Sequence, residues 1–502
     1  MHSSLYPTVP RAGLQCRCSN TGWICPESIN PKVDRSARLK ALAEVVPDRN
    51  DETYLPVAFL VTIHRLQTNR MNEADVAVIG GGLAGMAVSI YLVRAGFRVL
   101  CVERGRNDDP VGESLDWSAP ALLGELGFPM ESLIAASSAT YKRHVLFQLE
   151  DGRERAYVPG AWLAAAPWRV ELRTLHMDRA ALHAAIRELA CQEGVEMLAD
   201  TVVRVEHDAR RRVSAVLTEG GRRVALPWFV DASGGSARLF ARTFRLPVVT
   251  YGPAKVAMWS YFDVPASIEG TTLYGAVAGR YMEWVWQIPI QSNRVSVGYV
   301  APGEHVKRLR GEGLSVADIY SGRLRRFPAL CRLPDMGPEQ QPRVVSFRCR
   351  VHKRITGANW IAIGEAATMI DPMTSNGVTA ALRQAREAAS LMAASRGRRR
   401  LPRLAAMAYS WRVTAMARFF NCGVERIMYS DEVRRRVGAL QAGDIYTIPA
   451  WLVNLCYARL APRGVAGTAL LCGVLLSLRG AAAAFQWWCR QRPGAGGEAR
   501  TA

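Results

Sequence analysis

The sequence predicts an α/β fold in which a parallel sheet is followed by an antiparallel sheet and a helical C-terminal region. Three observations predict it. A strand–turn–helix–strand unit occupies residues 75–103, short alternating apolar segments fill 245–350, and a strand–loop–helix pattern returns at 359–389.

The first unit reads DVAVIGGGLAGMAVSIYLVRAGFRVLCVE. Val76, Val78 and Ile79 make a short apolar strand, and Gly80, Gly82 and Gly85 give the G-x-G-x-x-G spacing. Gly80 permits a tight turn, Gly82 lets backbone N–H groups approach a diphosphate, and Gly85 lets the helix lie close on the strand. The positive end of that helix then faces the phosphates. A second strand, Arg98 to Val102, ends at Glu103, 18 residues beyond Gly85, where an acid accepts hydrogen bonds from ribose hydroxyls. The unit therefore predicts a Rossmann-like dinucleotide site.

A chain of 502 residues holds one large core or two to three domains, and 49% hydrophobic with 22% charged residues is ordinary for a folded protein. The formal charge of +20 is not ordinary, and it is almost all arginine. Lys32, Lys40, Lys142, Lys255, Lys307 and Lys353 are the six lysines among 64 basic residues. Runs at Arg210–Arg212 and Arg398–Arg400 read either as solvated loop charge or as a surface for an anionic partner, a carrier protein or a phospholipid face. No nucleic-acid motif or interleaved basic and aromatic stripe points to nucleic acid. The 11 cysteines show no C-x-x-C pair and no metal-ligand spacing, so no metal is expected and a reduced, cytoplasmic protein is.

Residues 1–70 lack this patterning and read as a disordered extension or a misread start upstream of Met71. From 177 an amphipathic helix leads into an extended stretch, Val202 to Val230, ending in VDASGGSARLFAR. TTLYGAVAG, YMEWVWQIPI and NRVSVGYV predict antiparallel strands. Near the C-terminus GVAGTALLCGVLLSL, 464–478, is short of the roughly 20 residues a membrane span needs. A buried helix is the first reading. An interfacial helix with Trp487 and Trp488 at one end, in peripheral contact with a membrane, is the second.

Four motifs go further. The first is the glycine turn with Glu103 and the adjoining Arg104. The second is IAIGEAATMIDPMTSNGV, 361–378, containing Gly364-Glu365, Asp371-Pro372 and Asn376-Gly377-Val378. The third is GESL, with Glu113 and Ser114, and the fourth is EWVWQIP, 283–289. Trp284 and Trp286 fall on one face of a strand, where they wall a pocket or simply fill a core.

Carrying these motifs over about residues 75–430, the chain resembles the flavin-dependent monooxygenases of the p-hydroxybenzoate-hydroxylase fold, and within them the FAD-dependent halogenases. The resemblance implies a Rossmann-like FAD-binding domain (71–245 and 351–395), an antiparallel β-sheet substrate domain (246–350) and a helical C-terminal region (396–502). It implies that Gly364-Glu365 meets the ribityl chain, with Glu where the family has Asp. It implies that the turn at 376–378 faces the flavin ring and a halide ion, and that Glu113 and Ser114 lie beside the flavin. Lys142, in TYKRHVLF 62 residues past Gly80, is similar to the lysine that these halogenases place between flavin and substrate. The amine can attack hypohalous acid or donate a hydrogen bond to it; the plainer reading is an exposed lysine beside Arg143.

Two departures narrow the expectation. Met369 and Thr374 stand where tryptophan halogenases carry Phe and Glu, which argues against free tryptophan and toward another electron-rich aromatic or polyene acid, including one on an acyl carrier protein. No second glycine fingerprint serves a nicotinamide, so the flavin is expected to be reduced by a separate flavin reductase or by transient NAD(P)H contact. The expected activity is halogenation through a flavin hydroperoxide and hypohalous acid. The alternatives are an aromatic hydroxylase and, further off, a flavoprotein of the geranylgeranyl-reductase type.

Overall fold

The computed structural model describes residues 73–105, 112–158, 173–265, 269–277, 279–398, 400–455 and 465–491. The expectation for residues 1–70 lies outside the described residues.

Five parallel strands form the first sheet, in the order Trp360–Ala362, Trp228–Asp231, Val76–Ile79, Val99–Glu103 and Glu196–Ala199. Every residue of the central Val76–Ile79 strand is buried, as a parallel sheet covered on both faces requires. One face packs against helix α1 (Leu83–Arg94), α2 (Arg179–Gln192) and α3 (Gly377–Ala393). Asp178 caps α2, accepting hydrogen bonds from the Ala180 and Ala181 amides. The other face carries a three-stranded antiparallel sheet over 202–224.

The second large sheet has eight strands. Its order is Thr368–Met369, Arg343–His352, Val248–Asp263, Arg294–Pro302, Glu283–Gln291, Gly270–Ala276, His144–Leu149 and Glu154–Tyr157. The antiparallel segments expected over 245–350 form its centre. The sheet extends beyond them, because His144–Leu149 pairs parallel with Gly270–Ala276. It thus takes strands from a stretch assigned by sequence to the FAD-binding domain. The register sets Trp286 opposite Gly298, where any Cβ would overlap the indole ring, so S-V-G in the following strand is what admits the second tryptophan.

Helices complete the chain: α4 (Arg403–Gly423), α5 (Ala439–Leu455) and α6 (Val465–Gln491). The buried-helix expectation for the 464–478 segment is corrected. Leu471 is buried and Val474, Leu475 and Leu478 pack on the core, but Leu470, Leu476 and Trp487 are exposed. At 27 residues, about 40 Å at 1.5 Å per residue, α6 is much longer than its apolar run and only one stripe finds a protein surface. By length and composition, 467–484 is apolar enough to cross a membrane.

Candidate active site

The glycine turn is built as its spacing requires. Gly80 has φ +102°, and a Cβ there would overlap the Ala232 carbonyl. A Cβ on Gly85 would overlap the Gly80 carbonyl, whereas Gly82 faces open space at the start of α1. The Glu103 carboxylate lies against Gly81 and forms an ion pair with Arg187. Arg104 follows it, exposed.

Gly364 (φ +60°) sits against Ala84 at the start of α1, and its amide donates to Gln384 Oε1 at 2.7 Å. Glu365 is walled by protein on most sides yet open to solvent, as a residue lining a cleft is; burial raises its pKa, partly offset by Arg350. Around it lie groups that sequence reasoning did not single out. Arg179, Arg238 and Arg350 each hold a buried Nε–H with no hydrogen-bond acceptor among the described residues. Both ring nitrogens of His352 are likewise unpartnered, and burial, with Arg350 and Arg238 adding to it, lowers its pKa to about 4. Unsatisfied buried donors are costly, and arginines grouped around Glu365 suit an anionic ligand with many oxygens. The diphosphate of FAD fits this donor set, and Gly82 leaves room for its approach. Nothing in the sequence spacing marks these arginines, which come together only through tertiary contact.

The second motif and GESL meet. Ser375, in the left-handed region at φ +55°, donates to Ser114 Oγ at 3.2 Å, and Thr379 Oγ1 donates to Asp116 at 3.2 Å. Asn376 N donates to Thr374 Oγ1 at 3.3 Å, and α3 opens at Gly377 and Val378, whose first-turn amides lack helical acceptors. Pro372 is exposed on the turn. Asp371 faces inward instead. Its carboxylate meets Lys255 Nζ at 3.0 Å, accepts from Met373 N and Tyr429 Oη, and shapes the turn from behind. Lys255 is fully buried and also meets Glu425 at 2.6 Å.

Glu113 is buried, accepting from Tyr261 Oη at 3.0 Å and Ser296 Oγ at 3.3 Å; burial raises its pKa. Ser296 Oγ in turn accepts from Trp286 Nε1 at 3.1 Å. Trp284 donates to Tyr429 Oη at 2.9 Å, and the two indoles are 5.8 Å apart on one strand face. His176 Nε2 shares a hydrogen bond with Thr271 Oγ1, itself 2.8 Å from Ser114 Oγ. GESL, the tryptophan strand and the 375–378 turn are therefore one hydrogen-bonded assembly.

Lys142 ends the Ala139–Lys142 strand beside this assembly. It is 3% exposed, not a surface lysine; the exposed partner of the pair is Arg143, held by Glu269. Its Nζ donates to the Leu115 carbonyl of GESL at 2.9 Å and lies 5.6 Å from the Trp117 ring centre. Burial lowers its pKa to about 8, with Asp116 opposing the shift. Trp117 meets Trp451 of α5 edge-on at 6.3 Å, and Asn454 of α5 donates to Asp116 at 2.7 Å.

Fold and site together give a Rossmann-like cradle with a buried amine beside the 375–378 turn, an arrangement that suits a dinucleotide cofactor. The tryptophan halogenase family model matches residues 169–404, and a pyridine nucleotide-disulphide oxidoreductase model matches 74–243. A tryptophan 2-halogenase of Chondromyces crocatus is 27% identical over 64% of this chain and 61% of its own length. A menaquinone reductase of Mycolicibacterium smegmatis is 28% identical over 64% and 76%. A 1H-pyrrole-2-carbonyl-[peptidyl-carrier protein] brominase of Pseudoalteromonas luteoviolacea is 25% identical over 63% and 76%. The solved flavin-dependent brominase Bmp2 shares the fold at TM-score 0.62 and 20% identity, over 82% of this chain and 99% of that one. Over residues 169–404 the chain is thus similar to the tryptophan halogenase family, and its fold is the one seen in flavin-dependent brominase Bmp2.

Proposed function

We propose that this protein halogenates an electron-rich aromatic or polyene acid, using FAD, oxygen and a halide ion. The single observation that carries the reading is Lys142, a buried amine tied to the GESL backbone beside the 375–378 turn. Gly80, Gly82 and Gly85 with Arg179, Arg238 and Arg350 would hold the diphosphate, Glu103 the ribose, and Gly364-Glu365 the ribityl chain. Bound FAD supplies the activation of oxygen that oxidises halide to hypohalous acid. The amides opening α3 favour a halide or other negative charge at that turn. Trp284 and Trp286, both buried, exclude water that would consume the oxidant. Lys142 then holds hypohalous acid toward the substrate. A new carbon–halogen bond replaces a carbon–hydrogen bond, and the displaced proton leaves with the hypohalous oxygen as water.

The carrier-specific brominase among the relatives supports a carrier-tethered substrate, and a separate flavin reductase is the expected electron source. Cys101, Cys191, Cys331, Cys349, Cys422 and Cys472 are free thiols, in keeping with a reducing, cytoplasmic compartment. Menaquinone reductase, matched over a similar span, favours a second reading in which the flavin reduces an apolar substrate.

The test is turnover of purified protein with FAD, a flavin reductase, oxygen and bromide on a phenolic probe. Brominated product that disappears in Lys142→Ala while FAD stays bound is expected. Product formed independently of bromide, hydroxylated or reduced, would reject halogenation.

A further inference from the structure

Two arginine runs far apart in the sequence meet in space. Arg212 comes from the turn after the Val202–His207 strand; Arg398 and Arg400 come from the link between α3 and α4, and Arg403 opens α4. These four arginines, with Leu401 and Pro402, line one cavity of about 520 Å³. Both runs are pinned to the same place. Trp360 Nε1 donates to the Arg211 carbonyl at 3.1 Å, and Leu401 N donates to the Ala358 carbonyl at 2.7 Å. Asp208 further fixes the first run, accepting from the Arg210 and Arg212 amides at 2.9 Å. The four arginines thus stand on backbone fixed by hydrogen bonds rather than on floating loops.

Directly after Arg403 come Leu404 and Met407, 81% and 67% exposed, the two most exposed large apolar side chains among the described residues. Spaced i and i+3 on α4, they share one helix face. Charge alone would suit any polyanion. Aliphatic side chains held in water beside it add nothing to contact with a nucleic-acid backbone or a free phosphate, but they gain by entering a lipid interface.

We propose that this face docks on an anionic phospholipid surface, the arginines taking headgroup phosphates and Leu404 and Met407 entering the acyl boundary. It lies where the Trp360–Ala362 strand begins, the end of the parallel sheet opposite Gly80 and Gly364. The docked protein therefore keeps the flavin end free for substrate and reductase. The proposal does not depend on the halogenation reading.

The experiment is sedimentation of the full-length protein with vesicles of phosphatidylcholine alone or with one third phosphatidylglycerol. Binding to the mixed vesicles alone is expected, weakened by salt. Arg398→Ser/Arg400→Ser/Arg403→Ser should lower partitioning about a hundredfold, and Leu404→Ser/Met407→Ser should lower it as well, with FAD uptake unchanged in both as the check on folding. Any of four results overturns the proposal: no vesicle binding; binding that survives either set of changes; binding lost only in Trp487→Ser, which transfers the contact to α6; or equal competition by inorganic phosphate or duplex DNA at matched phosphate concentration.

Discussion

Lys142 carries a measurable electrostatic signature. Its pKa is lowered to about 8 from 10.5, so between those values the unfolded chain holds a proton that the folded chain has released. Stability therefore rises with pH across that window, and below it the full cost of burying the charge remains. That cost is about 3 kcal/mol at pH 7, reduced by the hydrogen bond to Leu115. Lys142→Met is expected to be at least as stable as the parent in urea unfolding at pH 7, its advantage shrinking as pH climbs from 8 to 10.5. A large loss of stability at pH 7 would show that the amine is a structural anchor. If the neutral amine is the working form, halogenation rises with pH to a plateau above about 8; if the ammonium is, it falls over the same range.

At the scale of elements, the 371–378 turn is held from behind by a buried ion cluster. Asp371 begins the turn, Lys255 and Tyr429 grip its carboxylate, and Glu425 grips Lys255. Removing the cation strands two acids in the interior, so Lys255→Met is expected to cost about 3–5 kcal/mol, read by chemical denaturation. The same change should weaken FAD binding, because the turn it frees opens α3. A near-neutral effect on both would mean that the cluster is dispensable. The glycine turn gives a contrasting case. Gly85→Ala forces α1 off the Gly80 carbonyl, so it should lose cofactor and stability together, whereas Gly82→Ala meets open space in the protein and should affect the cofactor alone.

Across the whole molecule, what the sequence revealed was local in its cause. The glycine spacing, the Glu103 strand end and the paired tryptophans follow from backbone geometry within a few residues, and each stands where its spacing implied. Lys142 was legible because lysine is scarce here and its neighbours match a family segment. Groups that gain meaning only through tertiary contact stayed hidden. Arg179, Arg238 and Arg350 are separated by 59 and 112 residues (238 − 179 and 350 − 238) and group near Glu365 only once the sheet has formed. The parallel pairing of His144–Leu149 with Gly270–Ala276 spans more than a hundred residues and leaves no periodic trace in either strand. Lys255 was visible as a residue but not as a partner of Asp371. Since the residues proposed to hold FAD come from so many segments, the bound cofactor should act as a staple for the fold. At about a hundred times its dissociation constant it should add about 2.7 kcal/mol of stability, seen as a raised thermal midpoint.

The convergence of these segments on one flavin is tested most directly by titrating FAD into the purified apoprotein and following flavin fluorescence. Saturation at one FAD per chain is expected, with strong weakening in Gly82→Val and in Arg179→Ala and unchanged affinity in Lys142→Ala. Properly folded protein that takes up no FAD, or that binds it equally well in all three variants, would contradict it.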